Sequence, residues 1–303
     1  MFGTFRRMAI QIGRNVREEF MIQIITDSAS DITLQQAQEL NIHIVPVHIQ
    51  FPDGPCPQET EQDLLSFYDR LVKTEELPTT SQPTPNEYLR LFEAAETAGD
   101  DVLVLTLSGG LSGTVGAARI AADLSGYDRI RVVDTRLAIS AQRLLTEYAV
   151  KLRDEGLSVD ELVTAVEEMI SRITVYGVID TLTYLRKGGR IPASLSVLGN
   201  ALRIKPVIIL EDGILKTIGK GMGHAIGKKI LWQRFEQNLP DPDFPMYFIY
   251  TSDRAMGQKF MEETVEKYGL QDFRTSLIPI GGVIGTHLGT CGVGVSYVVK
   301  KPD

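Results

Sequence analysis

The chain has 303 residues, of which 43% are hydrophobic and 23% are charged; this composition is that of an ordinary globular protein, and the length favours two domains. Its formal net charge of -8 argues against nucleic acid as a partner, because binding to phosphates needs basic patches. No apolar run approaches the ~20 residues that span a bilayer. The two cysteines, Cys56 and Cys291, lie far apart and indicate neither a metal cluster nor a disulfide framework. This use of cysteine fits a reducing cytoplasm.

The first twenty residues differ in character from the rest of the chain. Residues 1–20 interleave arginines, such as Arg6 and Arg14, with apolar residues. This pattern is typical of an amphipathic targeting or membrane-surface helix, which would allow transient contact with a membrane, or of a disordered extension. We favour the extension, since Met21 stands directly before the first predicted strand and could itself be the initiator.

From residue 21 onward, short β-branched runs alternate with longer helical patterns, which indicates an α/β fold. The predicted strands are 22–25, 42–47, 101–107 and 130–133. The predicted helices are 31–40, 60–72, 85–98, 112–124, 138–155 and 159–170. Because this alternation is typical of a parallel sheet, we assign residues 21–172 to an N-terminal α/β domain.

The second half of the chain has more strands and fewer helical patterns. The predicted strands are 175–179, 207–210, 214–218, 246–250 and 292–299. A turn signal at 211–213 (Glu-Asp-Gly) separates two of them and predicts a hairpin, hence antiparallel pairs. We therefore assign residues 173–303 to a C-terminal α+β domain with a mixed or antiparallel sheet.

Two polar segments of the N-terminal half carry grouped hydroxyls. Thr80 and Ser81 precede Pro83, and Ser108 and Ser112 lie between a predicted strand and the following helix. Sites in parallel α/β sheets form at the carboxyl ends of strands, so we expect these hydroxyls at one edge of the sheet, donating to a ligand oxyanion. Turn formation and helix capping are the alternative interpretation.

A glycine-rich run at 280–294 contains Thr286 and His287. Such a segment is costly to order and allows close approach, so it predicts a site rather than a core. Arg190 follows Gly188 and Gly189 and can bind a carboxylate or phosphate bidentately, although an ordinary surface arginine is equally compatible with the pattern. Together with the hydroxyls, these residues predict a receptacle for a small anionic or acidic head group.

Two other functions stay open on the residues alone. Ser112 and His287 could form a serine-type hydrolase, although Thr114 stands where the nucleophile motif GxSxG has its second glycine. The loop before the helix could instead bind a phosphate or nucleotide through its backbone amides. The segment from Asp27 to Asp31 could hold a cation or accept a phosphate, with capping of the following helix as the simpler interpretation.

Seven segments, taken in order, resemble the DegV family, the bacterial fatty-acid-binding proteins that include the FakB subunits of fatty acid kinase. They are IITDSASD at 24–31, TSQP at 80–83, LSGGLSGT at 107–114, VVDT at 132–135, LTYLRKGGRI at 182–191, IKPV at 204–207 with DG at 212–213, and IGTHLG at 284–289. Each is a weak signal alone, but seven in family order are specific. The resemblance implies a two-domain fold with a long acyl chain buried at the domain interface.

It also implies that the protein binds its substrate without transforming it. The family presents a fatty acid to a separate kinase, which phosphorylates the carboxyl group to an acyl phosphate. On this resemblance the only ligand is a long-chain fatty acid, no metal or other cofactor is expected, and a fatty acid kinase subunit is the expected protein partner.

The resemblance also assigns roles to residues. Thr80, Ser81, Ser108 and Ser112 would contact the carboxyl group, and Arg190, Thr286 and His287 would complete or border the site. The chain departs from the usual family pattern at Gly109, Leu288, Thr290 and Cys291, all of which bear on head-group bonding. Apolar residues that could line a tunnel or simply pack in a core are Leu195, Val197, Leu198, Leu202, Ile208 and Val283.

Overall fold

The computed structural model describes residues 21–57, 60–191 and 204–301. The predicted N-terminal extension, residues 1–20, lies outside the described residues, and so do the tunnel candidates Leu195, Val197, Leu198 and Leu202. None of the helices in the described part of the chain has the length and the apolar run that crossing a bilayer requires.

The N-terminal part is built on a parallel four-stranded sheet in the order β2-β1-β6-β7. Its strands are β1 Ile22–Asp27, β2 Ile42–Val45, β6 Asp101–Thr106 and β7 Ile130–Asp134. Helices cover it: α1 Leu34–Glu39, α2 Glu61–Lys73, α3 Pro85–Ala98, α4 Thr114–Ser125, α5 Ile139–Asp154 and α6 Val159–Ile170. Consecutive residues Ile24 and Ile25 are both fully buried, because a parallel sheet is covered on both faces.

Capping explains where several of these helices begin. Thr33, Thr60 and Ser158 each accept a hydrogen bond from the third helical N–H, and that residue's side chain accepts one from the cap in return. This reciprocal arrangement satisfies two backbone donors that the first turn leaves free. The predicted helices in this half are therefore confirmed, with boundaries that shift by a few residues.

The predicted strand at 42–47 is two residues too long, and the strand that follows it, in a different sheet, was not predicted. Strand β2 ends at Val45, and Pro46 follows, which has no N–H to continue a ladder. The chain then enters an antiparallel three-stranded sheet in the order β4-β3-β5, made of β3 His48–Phe51, β4 Gly54–Pro55 and β5 Thr79–Ser81. This small sheet matters because β5 carries Thr80 and Ser81.

The C-terminal part is built on a six-stranded mixed sheet in the order β10-β9-β8-β13-β11-β12. Its strands are β8 Ile173–Val178, β9 Ile204–Glu211, β10 Ile214–Met222, β11 Met246–Tyr250, β12 Thr275–Pro279 and β13 Val293–Val298. The helices are α7 Thr183–Lys187, α8 His224–Gln237, α9 Arg254–Tyr268 and α10 Gly282–Leu288. Strands β9 and β10 form the predicted hairpin, and the pair β11–β12 is parallel. The predicted α/β fold class is confirmed.

Helix α5 joins the two sheets through one continuous core. Its residues Ala141 and Leu145 are fully buried, and the core around them includes Leu103 from β6 and Ile208 from β9. The predicted domain boundary at residue 172 falls between α6 and β8, where the chain leaves one sheet for the other, and it stays a prediction. The core therefore crosses this boundary without a break.

Candidate functional site

A cavity of about 300 Å³ lies between the six-stranded sheet and the small N-terminal sheet with its loops. Its volume is at the lower end of the ~300–1,000 Å³ of ligand pockets. Most of its lining is apolar, and representative residues are Ile139, Val175, Ile208, Leu210, Leu215 and Val283. Ile208 and Val283 were among the tunnel candidates from the sequence.

The apolar wall comes from regular secondary structure. On β9, Ile208 and Leu210 face the cavity side and belong to the core around α5, whereas Ile209 belongs to a second core on the other face. This alternation follows from the two-residue period of a strand. The apolar side chains that line the cavity are therefore placed by the sheet itself.

The polar end of the cavity contains a hydrogen-bonded pair, Thr80 and His287. The Thr80 hydroxyl on β5 lies 2.9 Å from His287 Nε2 on α10, although the two residues are 207 positions apart in the chain. The other ring nitrogen, Nδ1, is buried and has no hydrogen-bond partner. Burial, assisted by the positive charge of Arg190, lowers the pKa of His287 to about 4, so the ring is neutral at pH 7.

A neutral imidazole carries one N–H, and the surroundings favour its position at Nε2. An orphaned buried N–H group is rarer in proteins than an orphaned acceptor, so the unpartnered Nδ1 is best left without a proton. Nε2 then donates to Thr80 Oγ1, which leaves the threonine hydroxyl proton free to point into the cavity. In this tautomer of His287, the Thr80 hydroxyl is available as a hydrogen-bond donor.

Gly188 and Arg190 border the histidine on its other side. A Cβ at residue 188 would collide with His287 Nδ1, so a glycine is needed there for the imidazole to pack against the end of α7. Gly189 then takes a left-handed conformation (φ 69°). The exposed Arg190 side chain donates two hydrogen bonds, from Nε to the Leu111 carbonyl (3.2 Å) and from one terminal nitrogen to the Gly188 carbonyl (2.7 Å). Arg190 thus links α7 to the 107–113 loop and places a positive charge at the mouth of the cavity.

Two further hydroxyls line the same region, those of Ser81 and Ser112. Ser112 Oγ lies 2.9 Å from the Thr114 hydroxyl and accepts the Thr114 N–H. The neighbouring Gly113 is in close contact with the end of the Gln82 side chain, which would have to move to make room for a Cβ. This contact brings the two hydroxyl segments side by side.

Ser108 and Thr286 do not line the cavity. The fully buried Ser108 hydroxyl donates to the Gly213 carbonyl at 2.6 Å, which fastens the β9–β10 hairpin to the N-terminal part. The Thr286 hydroxyl donates to the Gly282 carbonyl one turn earlier in α10. Both protons are used inside the protein, so neither residue is included in the head-group site proposed below.

The hydrolase alternative lacks its central contact. His287 Nε2 is bonded to Thr80, and Ser112 is bonded to Thr114. A nucleophile and its base need a direct hydrogen bond, and within the described residues the hydrogen bonds of Ser112 and His287 do not join them.

The alternative of a phosphate-binding loop lacks most of the free backbone donors that it requires. The N–H groups of residues 109–112 and Thr114 already donate within the protein, to Asp134, Ser108 and Ser112. A phosphate cradle formed by the loop before α4 would need those donors to be free. In the parts of the chain that the structure covers, no group of three or more His, Cys, Asp or Glu side chains is placed to hold a metal ion.

Sequence reasoning did not find the role of α5 or of Gly188. Ile139 at the start of α5 lines the cavity, but its pattern is that of any buried helix. By its sequence context Gly188 is an ordinary helix end, but in the structure it also makes room for His287. The repeated glycine in Lys187-Gly188-Gly189-Arg190 was the available signal, because one glycine is enough to end a helix.

Comparison with known protein families gives a match over almost the whole described chain. A family model described as "Uncharacterised protein, DegV family" matches residues 21–300. The DegV domain-containing protein CPE0026 of Clostridium perfringens is 31% identical over 289 residues, which cover 92% of this chain and 98% of the relative. Protein DegV of Bacillus subtilis is 30% identical over 286 residues, with 92% and 99% covered.

Solved structures agree with the sequence match. A DegV family protein from Thermus thermophilus, described as fatty acid binding, superposes with a TM-score of 0.82 at 27% identity, covering 92% of this chain and all of that one. DegV from Bacillus subtilis, described as a fatty acid binding protein, gives 0.79 at 27% identity, with 93% and 100% covered. A stearic acid-binding protein from Eubacterium ventriosum gives 0.79 at 25% identity, with 93% and 99% covered.

Proposed function

The chain belongs to the DegV family, and from this we propose that it binds a long-chain fatty acid, with the acyl chain in the apolar cavity and the carboxylate at its polar end. The head-group residues in this proposal are Thr80, Ser81, Ser112, Arg190 and His287. The observation that carries it is the division of one cavity into an extended apolar part and a single cluster of donors.

The apolar part supplies the affinity. Each methylene removed from water contributes roughly 0.8 kcal/mol, so an acyl chain gains far more than a short acid could. Fatty-acid-binding relatives with the same fold, one of them described as a stearic acid-binding protein, support a chain of this class.

The polar end keeps the carboxylate from being buried without partners. An unpaired carboxylate in an apolar environment costs several kcal/mol. The Thr80 hydroxyl, freed by the His287 N–H, donates to it, the hydroxyls of Ser81 and Ser112 are close by, and Arg190 adds a positive charge. A neutral His287 is useful here because it orients Thr80 without itself requiring a counter-ion.

Mass spectrometry of the protein purified without added lipid tests this proposal directly. Native spectra should show a stoichiometric adduct, and extraction after denaturation should release a fatty acid of a defined chain length. A lipid-free protein that also takes up neither palmitate nor oleate would contradict the proposal.

We further propose that the chain is a carrier, presenting the bound fatty acid to a separate fatty acid kinase that forms the acyl phosphate. The exposed Arg190 at the mouth supports this, because a carboxylate held there is close to solvent and to a docked partner. In a reaction with kinase and ATP, acyl phosphate should form from the loaded chain and not from the chain alone. Equal turnover of free fatty acid without the chain would contradict the carrier role.

A further inference from the structure

The segment Asp27–Asp31 has no assigned role in the site, yet its side chains reach three separate parts of it. Strand β1 ends at Asp27, Ser28–Ser30 form a single 3₁₀ turn, and Asp31 takes a left-handed conformation (φ 58°). Asp27, Ser28 and Asp31 each accept a backbone N–H from a different, distant segment. None of the three lines the cavity.

Asp27 holds the loop that carries Ser112. Its Oδ2 accepts the Leu107 N–H at 2.6 Å and lies 3.3 Å from the Gln142 amide nitrogen, and its Oδ1 accepts the Ala29 N–H at 3.0 Å. The residue is fully buried. Burial raises the pKa of this carboxyl to about 6 against the opposing effect of the three donors. Both oxygens act only as acceptors, so the ionised form fits the site.

Ser28 fixes the residue that leads into the small three-stranded sheet. Its hydroxyl accepts the Val47 N–H at 2.9 Å, directly before β3. Strand β3 pairs with β5 in the register Ile49 to Thr80. The position of the Thr80 hydroxyl therefore depends on where residue 47 is fixed.

Asp31 holds the start of α10. Its Oδ1 accepts the Gly281 N–H at 2.9 Å, and Oδ2 is buried without a partner. A Cβ at residue 281 would lie only 2.6 Å from Oδ1, so a glycine is required for this contact. Burial raises the pKa of Asp31 to about 8, with Arg143 and the Gly281 N–H opposing and the Tyr68 hydroxyl nearby, so the carboxyl is mostly protonated at pH 7.

We propose that Asp27, Ser28 and Asp31 form the positioning element of the head-group site, one turn that sets the relative positions of the three segments carrying Ser112, Thr80 and His287. This inference rests on the proposed fatty acid function. Three segments that are far apart in the chain would otherwise each have to be ordered separately, at a cost in conformational entropy. Because all three segments are attached to one turn at the end of the central strand β1, the positions of the donors relative to one another are fixed.

The experiment compares two ligands of equal chain length, myristic acid and tetradecanol. Wild-type protein should prefer the acid, because a carboxylate accepts more hydrogen bonds than an alcohol and makes stronger, charge-assisted ones. Asp27→Asn places an amide N–H against the N–H of either Leu107 or Ala29, and Asp31→Ala removes the Gly281 acceptor. Each should reduce the ratio of acid to alcohol affinity by about tenfold, the effect of losing well-placed bonds to a charged group, while the affinity for the alcohol is retained.

Asp31→Asn provides a rescue that a general loss of stability would not show. An asparagine keeps the Oδ1 acceptor for Gly281 and is neutral, like the protonated Asp31, so the ratio should return towards that of wild type. The same exchange at Asp27 should not restore the ratio, because both oxygens of Asp27 accept hydrogen bonds and an asparagine has only one oxygen. Asp123→Asn, on the exposed side of α4, is the control.

The outcomes separate this inference from the function on which it rests. A wild-type protein that binds neither ligand overturns the proposed function. A wild type that prefers the acid, with folded variants that keep this preference or lose both ligands equally, overturns the positioning role. If Asp27→Asn does not fold, Asp31→Ala and the milder Ser28→Ala decide the matter by the same ratio.

Discussion

The two ends of the cavity are built in different ways. The apolar part is lined mainly by strands of the six-stranded sheet, such as β8, β9, β10 and β13, with contributions from Ile139 of α5 and Val283 of α10. The donors at the polar end come instead from a short edge strand, a loop, a helix terminus and the histidine of α10. Burial acts through area and is shared among many residues, whereas hydrogen bonds act through a few directed contacts. The apolar part should therefore set how tightly a ligand binds, and the polar end which ligand it is and how it is oriented.

The largest effect should come from making the apolar wall polar. Leu215 lies in the edge strand β10 and is only partly buried, so Leu215→Asn should fold. Covering the new amide with an acyl chain costs roughly 2 kcal/mol, which should raise the Kd for palmitate about thirtyfold. Calorimetry measures this, with Met222→Asn, at an exposed position of the same strand, as the matched control.

This substitution should weaken a fatty acid and a fatty alcohol alike, because it acts on the chain and not on the head group. A loss confined to the acid would show that Leu215 belongs functionally to the polar end, and the comparison between the two ends would fail.

At the polar end, Thr80→Val should have the next largest effect. Valine keeps the shape of threonine and removes the hydroxyl that we place on the carboxylate, so the Kd for palmitate should rise about tenfold. Tetradecanol binding should change much less. Thr79→Val, at the exposed neighbouring position of β5, is the control, and an equal effect from both variants would contradict the role of Thr80.

The difference between the two ends of the cavity also explains which of their features the sequence could predict. Strand β9 was predicted from its apolar pattern, but Ile208 could not be assigned to a cavity, because a lining residue and a core residue have the same composition. Strand β3 was not predicted, because its pairing with β5 is a long-range choice that a local pattern does not contain.

At the polar end, composition identified the segments but not the direction of each side chain. Thr80 and Ser112 line the cavity, whereas Ser108, in the same predicted loop, donates to Gly213 in the other half of the chain. The family resemblance identified the motif Asp27–Asp31, but three of its contacts lie at least 19 residues away, beyond any local rule.

Arg190 should have a smaller effect, because its charge is exposed. Arg190→Ala should raise the Kd for palmitate about threefold in low salt, within the range of exposed ion pairs, and less in high salt. Lys187→Ala, an exposed cation in the same segment, is the control. A loss as large as that of Thr80→Val, unchanged by salt, would show that Arg190 is a buried partner of the carboxylate.

The smallest expected effect is on the pH dependence of binding. Because burial lowers the pKa of His287 to about 4, its ring does not change charge between about pH 6 and 8, a range in which an exposed histidine would begin to titrate. His287→Gln keeps an N–H that can donate to Thr80, so the pH profiles of palmitate affinity for wild type and variant should run parallel there. Profiles that diverge would place a proton on His287 and contradict the neutral tautomer. The same pKa predicts how acid changes the free energy of unfolding. Below about pH 6.5 the unfolded histidine binds a proton, whereas the folded one stays neutral until about pH 4. Acid should therefore destabilise the wild type more than His287→Gln.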